Sequence, residues 1–172
     1  MLSCYKCIEK GGISMNINIR MILEIDYENV SEIVCRNFME VNIKDYTKEE
    51  MEKYCTVFTP EKIKRISTMG HMYVACIDGV IVGCGAIHSY FGKEDESTLR
   101  TIFVKPELHG NGIGTELIKV IENDEIIKRS NRIEVAASIT SYEFYKNRGY
   151  KDINGIKKLD DGNYRLEKIR EI

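Results

Sequence analysis

The sequence predicts a single mixed α/β domain, in which helices cover a central, mostly antiparallel sheet. Three observations predict it: β-type runs alternate with amphipathic segments, one dipeptide is a strong hairpin signal, and the composition is that of a globular protein. Hydrophobic residues make up 43% of the 172 residues and charged residues 30%. Because nothing repeats and no linker divides the chain, the predicted order of elements is β-αα-βββ-α-β-α-ββ.

The first fourteen residues are set apart from the domain. Met15 is a second possible start, and a purine-rich run of the kind that ribosomes bind could encode residues 10–12. We therefore expect residues 1–14 to be a translated leader or a disordered tail. The domain itself is expected over residues 15–172.

The N-terminal third predicts one strand followed by three helices. Residues 16–21 alternate in the manner of a half-buried strand. Asp26 offers an N-cap to the first helix. Thr47 with Glu50 forms a capping box for the second, and Thr-Pro-Glu at 59–61 opens a short third helix.

The middle of the chain predicts an antiparallel meander. Two β-rich runs, at 72–77 and 80–90, flank Asp78-Gly79, which is a strong hairpin signal. A charged loop at 92–96 leads into a third strand at 97–104. The remaining predicted elements are a helix from about Gly112 to Lys128, a strand at 132–138, a helix around 141–148 that ends at Gly149, and strands within 150–155 and 164–169.

Charge, hydropathy and cysteine usage limit the partners. The net charge of −2 gives no reason to expect a nucleic acid, and no apolar run approaches the roughly 20 residues that span a membrane. The cysteines are Cys4, Cys7, Cys35, Cys55, Cys76 and Cys84. Without a secretory signal we expect them to be reduced and the protein to be cytoplasmic. A lone CxxC pair is a weak metal signal, so no metal is expected.

A glycine-rich turn between the third meander strand and the next helix predicts an anion site. It reads His109-Gly110-Asn111-Gly112-Ile113-Gly114. Backbone amides at a helix N-terminus, with no side chain in the way, favour a bound phosphate. The turn is not a P-loop, and the dinucleotide fingerprint would need glycine at Thr115 or Leu117.

With Val104 and Pro106 before it, this turn resembles the pyrophosphate loop of the GNAT superfamily of acetyl-coenzyme A-dependent N-acetyltransferases. A second run resembles that family's other signature through Phe144, Tyr145, Gly149 and Tyr150. The resemblance implies a splayed sheet and acetyl-coenzyme A as co-substrate. The implied cofactor contacts are Ile102, Phe103, Val104, His109, Gly110, Asn111, Gly112, Ile113, Gly114, Thr115 and Ser138. His109 and Ser138 depart from the family's usual Gln or Arg and Asn.

The resemblance also implies direct attack of an amine on the thioester, with Tyr145 as general acid to the leaving sulfur. Tyrosine is protonated at neutral pH, so it can donate to that sulfur. Many relatives carry a glutamate base where this chain has Thr98. Glu96 and His88 are the candidate bases, and a solvent-relayed base is a third possibility. Cys76 and Cys84 lack an activating histidine, so no acyl-enzyme is expected.

The sequence leaves the acceptor open as a small-molecule or peptide amine, and the protein as a monomer or homodimer. We expect Tyr46, Tyr54 and Phe58 to line the acceptor cleft, and the acidic residues 94–96 could attract a cationic amine. Two alternatives remain: a non-catalytic acyl-coenzyme A-binding regulatory module on the same scaffold, and, with less support, a nucleotide-binding oxidoreductase.

Overall fold

The computed structural model describes the backbone of residues 4–10 and 13–170, and the side chains of residues 15–170. The predicted class, a mixed α/β domain with a mostly antiparallel sheet, is confirmed. The elements are β1 (Cys4–Lys10), β2 (Ile13–Met21), α1 (Tyr27–Glu40), α2 (Lys48–Val57), α3 (Pro60–Thr68), β3 (His71–Ile77), β4 (Val80–Tyr90), β5 (Lys93–Val104), α4 (Ile113–Ile121), α5 (Glu125–Lys128), β6 (Arg132–Ser138), α6 (Tyr142–Lys146), β7 (Lys151–Asp152), β8 (Leu159–Asp160) and β9 (Asn163–Ile169). Within the described residues, no helix is long and apolar enough to span a bilayer.

The strands of the described residues form one nine-stranded sheet. Its order is β1-β2-β3-β4-β5-β6-β9-β7, and β8 pairs with β9. Helices α1–α3 cover one face, where Phe38, Ile63 and Cys84 share a core cluster. The later helices cover the opposite face, where Ile118 and Tyr145 belong to a second cluster. Because helices cover both faces of the sheet, each face has a buried apolar surface.

The sheet opens between β5 and β6, which are its parallel neighbours. Their ladder pairs residues 96–99 with 132–135 and ends at Leu99 and Val135. Beyond that point β6 continues to pair with β9, whereas the end of β5 is paired with β4 alone. The splayed sheet that the family resemblance implies is therefore present, and it leaves a gap between the two strand ends.

A β-bulge lies in β5 where the gap begins. Cys84 pairs with Phe103 and Ala86 with Arg100, so two residues of β5 face the single residue between them on β4. Thr101 adopts a positive φ of 55° there. Such a bulge bends and twists its strand, which turns the end of β5 relative to its beginning.

The predicted helix starts are largely confirmed. Thr47 and Glu50 form the capping box of α2, and Thr59 caps α3 with proline at the first helical position. Asp26 precedes α1 as predicted but makes no N-cap bond. Its carboxylate instead accepts from the Leu23 N–H and from Arg20.

Two predicted boundaries were wrong. The charged loop is a tight turn at Phe91-Gly92, with positive φ at both residues, and Lys93 already belongs to β5. The long helix divides into α4 and α5, because the carboxylate of Asp124 accepts from the N–H of Ile126 and caps a new helix. The Asp78-Gly79 hairpin is confirmed, again with positive φ at both residues.

The N-terminal segment and the cysteines add features that the sequence did not predict. Residues 4–10 form β1, which pairs antiparallel with β2. Residues 1–3 and 11–12 lie outside the described part, and a translated leader over 1–14 stays a hypothesis. Cys35 and Cys55 are joined by a disulfide between α1 and α2, which corrects the expectation that all thiols are reduced.

Candidate active site

A cavity of about 1230 Å³ lies where β5 and β6 separate. Its walls come from α1–α3 on one side, and from the ends of β5 and β6, the glycine turn, α6 and the β8–β9 turn on the other. Of the predicted site residues, all but Glu96 and Asn111 line it. Tyr46, Tyr54 and Phe58 line it too, so the predicted cofactor and acceptor regions share one space.

The glycine turn places the N-terminus of α4, which has no side-chain cap, at this cavity. Gly110 and Gly112 have φ of 75° and 83°, a region that favours glycine. Gly112 is the N-cap of α4 and supplies no side chain, and its carbonyl receives the N–H of Glu116. The amides of residues 113–115 precede that first bond, so they have no acceptor inside the helix. They form an anion-binding arrangement at the positive end of the helix dipole.

The end of β5 is fastened at the carbonyl of Val104. This oxygen accepts from Asn37 Nδ2 at 2.9 Å and from His109 Nε2 at 2.8 Å. Because the Lys105 N–H bonds to Val82 of β4, strand alternation directs the backbone groups of Val104 away from β4. His109 therefore ties the glycine turn to the strand, a role that its place in the motif did not predict.

Tyr145 places a phenol in the wall of the cavity. The residue is 5% exposed, and its ring packs edge-on against Phe144 and Tyr150. Burial raises the pKa of Tyr145, and the nearby charge of Arg148 partly opposes that rise. The hydroxyl makes no hydrogen bond with any described residue. It is therefore a protonated donor without a hydrogen-bond partner among the described residues.

Arg148 is a site residue that sequence reasoning missed. Its guanidinium carbon lies 3.6 Å from the centroid of the Phe144 ring, and the group donates to Thr115 Oγ1 at the start of α4. Its Nε atom is buried without a hydrogen-bond partner, and no carboxylate of the described chain pairs with it. The family signature leaves this position open, so no motif signalled it.

His88 presents an imidazole from β4 to the cavity. It is 3% exposed, and its Nε2 lies 3.0 Å from the carbonyl oxygen of Ile66. Burial lowers the pKa of His88, and the charge of Arg100 lowers it further. The ring is consequently neutral at pH 7. A carbonyl only accepts, so Nε2 carries the hydrogen and Nδ1 keeps a lone pair.

Glu96 does not have the surroundings of a general base. Its carboxylate binds Lys93 at 2.5 Å and Arg132 at 2.6 Å, and it does not line the cavity. The hydrogen bond from Lys93, with help from Arg132, lowers the pKa of Glu96. Its neighbour Asp95 is bonded to Asn131, also outside the cavity. The geometry therefore disfavours Glu96 as a base.

The carboxylate that does line the cavity on β6 is Glu134, opposite Thr98. It is 2% exposed, and Arg132 and Arg165 each contact one of its oxygens. Both oxygens are therefore occupied by cations, as suits a structural ion pair. Thr98, at the position of the usual glutamate, pairs across the strands with His88.

Ser138 and the buried cysteines make local contacts. Ser138 Oγ accepts from the Ser141 N–H and lies 2.9 Å from Ser141 Oγ, which stabilises the start of α6. Burial raises the pKa of Cys84 to about 12 and also raises that of Cys76. Neither is set up to be a thiolate nucleophile. Over residues 15–170, no group of three His, Cys, Asp or Glu side chains could hold a metal.

Tyr46 joins the two walls of the cavity. Its hydroxyl donates to the carbonyl of Gly162 at 2.6 Å and accepts from the N–H of Ile139 at 2.8 Å. Nearby, Thr140 donates to Asp45. The segment between α1 and α2 is thereby bonded to the end of β6 and to the β8–β9 turn, which closes one side of the cavity.

The family of the chain follows from comparison with known proteins. The family model described as "Acetyltransferase (GNAT) domain" matches residues 42–163, well over half of the chain. The protein belongs to this family, and it is an acyltransferase enzyme of the acetyl-transferring kind. No curated protein sequence matches the chain significantly.

Several solved structures share the fold of this chain. The PaiA N-acetyltransferase from Thermoplasma acidophilum, in complex with coenzyme A, is 20% identical with a TM-score of 0.76 over 91% of this chain and 100% of that chain. A GCN5-related N-acetyltransferase from Rhodopseudomonas palustris is 22% identical, with a TM-score of 0.72 over 88% and 94%. A GNAT-family acetyltransferase from Staphylococcus aureus Mu50 is 18% identical, with a TM-score of 0.67 over 89% and 98%. At these identities the shared property is the fold.

Proposed function

We propose that the protein transfers acetyl from acetyl-coenzyme A to a primary amine by direct attack. The observation that carries the proposal is one shared cavity, which the uncapped N-terminus of α4, Tyr145 and His88 all line. An anion site, a proton donor and a proton acceptor are the three groups that such a transfer requires.

The cofactor site fits the residues present. We assign the pyrophosphate to the amides that follow Gly112, where neither an intrahelical acceptor nor a side-chain cap competes. Arg148 adds a guanidinium that donates to Thr115 and to the carbonyl of Phe144 but pairs with no described carboxylate, and its Nε, which lacks a partner, indicates a missing acceptor. We assign the pantetheine arm to the outward N–H side of β5 near Val104, whose carbonyl already accepts from Asn37 and His109.

The reaction forms an N–C bond and breaks a C–S bond. Acetyl-coenzyme A supplies the thioester, and an uncharged amine attacks its carbonyl carbon. The outward N–H groups at the end of β5 are suited to stabilise the developing negative charge on the carbonyl oxygen. Tyr145 donates its phenolic proton to the departing sulfur.

His88 is the base that the geometry favours over Glu96. Its Nδ1 carries a lone pair because Nε2 donates to Ile66. It is neutral at pH 7, since its pKa is lowered. We assign it the proton lost by the amine, taken directly or through one water molecule. The proton gained by His88 and the one given by Tyr145 balance the reaction.

Calorimetric titration of acetyl-coenzyme A into Gly112→Glu and Gly79→Glu variants tests the cofactor site. Both glycines have φ near 80°, with 83° at Gly112 and 80° at Gly79. Both substitutions therefore carry similar backbone strain and the same added charge. Gly79 lies in the remote β3–β4 turn, where nothing would meet a new Cβ within 4 Å.

Binding that only Gly112→Glu abolishes, together with amine-dependent release of free thiol by the native protein, supports the proposal. Equal binding of acetyl-coenzyme A by both variants would show that the glycine turn does not hold the cofactor. Binding without thiol release for any amine would favour a non-catalytic acyl-coenzyme A module.

A further inference from the structure

The acceptor side of the cavity carries cations that form no ion pair with any residue from 15 to 170. Lys62 and Arg65 of α3 and Arg100 of β5 all line it. We call these three residues the cationic rim. Within residues 15–170, none of the three forms an ion pair with a carboxylate, although Arg100 also approaches the Phe91 ring. Lys53 of α2 lines the same cavity, also without an ion pair.

The rim residues belong to the two elements next to the proposed base, α3 and β5. His88 bonds to the carbonyl of Ile66, which directly follows Arg65 and lies one helical turn after Lys62. On the sheet, Arg100 lies two residues from Thr98, which pairs with His88. The charge of Arg100 also contributes to the lowered pKa of His88. The positive charge is thus concentrated where the amine would lose its proton.

The carboxylates of the cavity offset only part of this charge, since three carboxylates line it beside six Lys and Arg side chains. Arg132 and Arg165 neutralise Glu134, whereas Glu50 bonds only to Thr47 and keeps its charge. Of the three lining carboxylates, Asp161 alone makes no ion pair or side-chain hydrogen bond to a described residue. The acidic residues 94–96, which the sequence suggested as an attraction for cationic amines, do not line the cavity.

We infer that the acceptor is a small primary amine that also carries an anionic group, a carboxylate or a phosphate, near the amine. The inference rests on the proposed function, because it names the substrate class of the same site. A cleft with one sign of charge attracts the opposite sign and repels its own. A polycationic amine would meet the rim unfavourably, whereas an anionic group would pair with it and place the amine beside His88.

Matched acceptors test the inference, with thiol release as the readout. Tyrosine is compared with tyramine, and phosphoethanolamine with ethanolamine, so that carboxylate and phosphate are distinguished. Spermidine represents the polycations. We expect kcat/KM to be about tenfold higher for the anionic member of at least one pair, as one charge-assisted hydrogen bond allows. The advantage should shrink as salt is added, because exposed charges are screened.

Charge-removing variants localise the effect. Lys62→Gln and Lys64→Gln remove the same charge from the same helix, but Lys64 does not line the cavity and pairs with Glu24. We expect Lys62→Gln and Arg100→Gln to lower kcat/KM for the anionic acceptor roughly fivefold to tenfold. The loss should be larger for the anionic acceptor than for the amine that lacks the anionic group, and Lys64→Gln should change neither.

Preference for spermidine, or for the members that lack the anionic group, would overturn the inference while leaving acetyl transfer intact. Equal losses for both members of a pair, or a loss of coenzyme A affinity in Lys62→Gln, would also overturn it. If no acceptor is acetylated, the proposed function fails. Phosphoethanolamine and tyrosine are then titrated into the coenzyme A-loaded protein, where binding that requires Arg100 supports the rim as an anion site and its absence overturns it.

Discussion

The imidazole Nε2 of His88 lies 3.0 Å from the backbone carbonyl of Ile66 and donates to it. A strand of the sheet and a helix that covers it are joined at this bond. The same bond selects the tautomer of the ring, since it leaves Nδ1 unprotonated in the neutral form. The environment therefore decides both which atom can take a proton and that the ring is neutral at pH 7.

Replacing His88 by glutamine should lower kcat about 100-fold, in line with the usual contribution of a general base. Glutamine keeps an N–H donor for Ile66 but has no basic nitrogen. In the native enzyme, kcat/KM should fall as pH drops through the lowered pKa of His88, below the ordinary value of 6.5. The variant should lack this acidic limb. A pH–rate profile that keeps the limb in the variant would remove His88 from the chemistry.

The same residue makes a prediction for stability. Because the pKa of His88 is depressed in the fold, the unfolded chain takes up a proton first as the pH falls. The stabilising contribution of neutral His88 to the free energy of unfolding is fully present above pH 6.5 and declines below it. Urea unfolding at pH 7.5 and pH 5.5 measures this, and His88→Gln should show a smaller difference between the two.

Replacing Tyr145 by phenylalanine should lower kcat and leave the affinity for coenzyme A within about twofold. The hydroxyl has no partner among the described residues, so its removal costs the fold little. The free energy of unfolding should change by about 0.5 kcal/mol or less. Single-turnover kinetics beside chemical denaturation separates the two roles, and unchanged turnover would leave Tyr145 as a packing residue.

Arg148 should contribute to coenzyme A affinity through charge and shape. Loss of a charge-assisted hydrogen bond predicts at least a tenfold weaker Kd for Arg148→Gln. Arg148→Lys keeps the charge but loses the planar stack on Phe144, so it should recover only part of the affinity. Calorimetry measures both, with Arg129→Gln as a control on a residue that does not line the cavity.

Titrating dephospho-coenzyme A identifies which phosphate Arg148 meets. An equal loss of affinity for both cofactors would place the guanidinium of Arg148 on the pyrophosphate. A loss confined to coenzyme A places it on the 3′-phosphate. No loss for either would show that the guanidinium serves only to pack Phe144 against α4.

The disulfide between Cys35 and Cys55 should stabilise the helical wall of the cavity. It closes a loop with a sequence separation of 20 residues, for which chain entropy predicts about 3 kcal/mol. A reducing agent should lower the Tm of the native protein and leave that of a Cys35→Ser/Cys55→Ser double variant unchanged. Equal effects on both proteins, or free thiols at both positions by mass spectrometry, would contradict the bond.

Local patterns were sufficient to predict most elements of the fold. Alternation located the meander, Asp78-Gly79 located its first turn, and the caps at Thr47 and Thr59 located two helices. These signals depend on neighbours within a few residues, so they can be recognised in the sequence alone. The division of the long helix at Asp124 was missed because a carboxylate within a helical pattern does not show which N–H it will cap.

The sequence by itself determined the class of the protein. Its order of strands and helices, its glycine turn and its Phe-Tyr signature are local patterns that required no knowledge of distant contacts. Only the tertiary structure decided the use of particular side chains. Arg148 is stacked on Phe144, His88 has its tautomer set by Ile66, and Glu96 is occupied by Lys93 and Arg132. The physical reason is that burial, ion pairing and pKa depend on groups that are distant in sequence and are brought together only by folding.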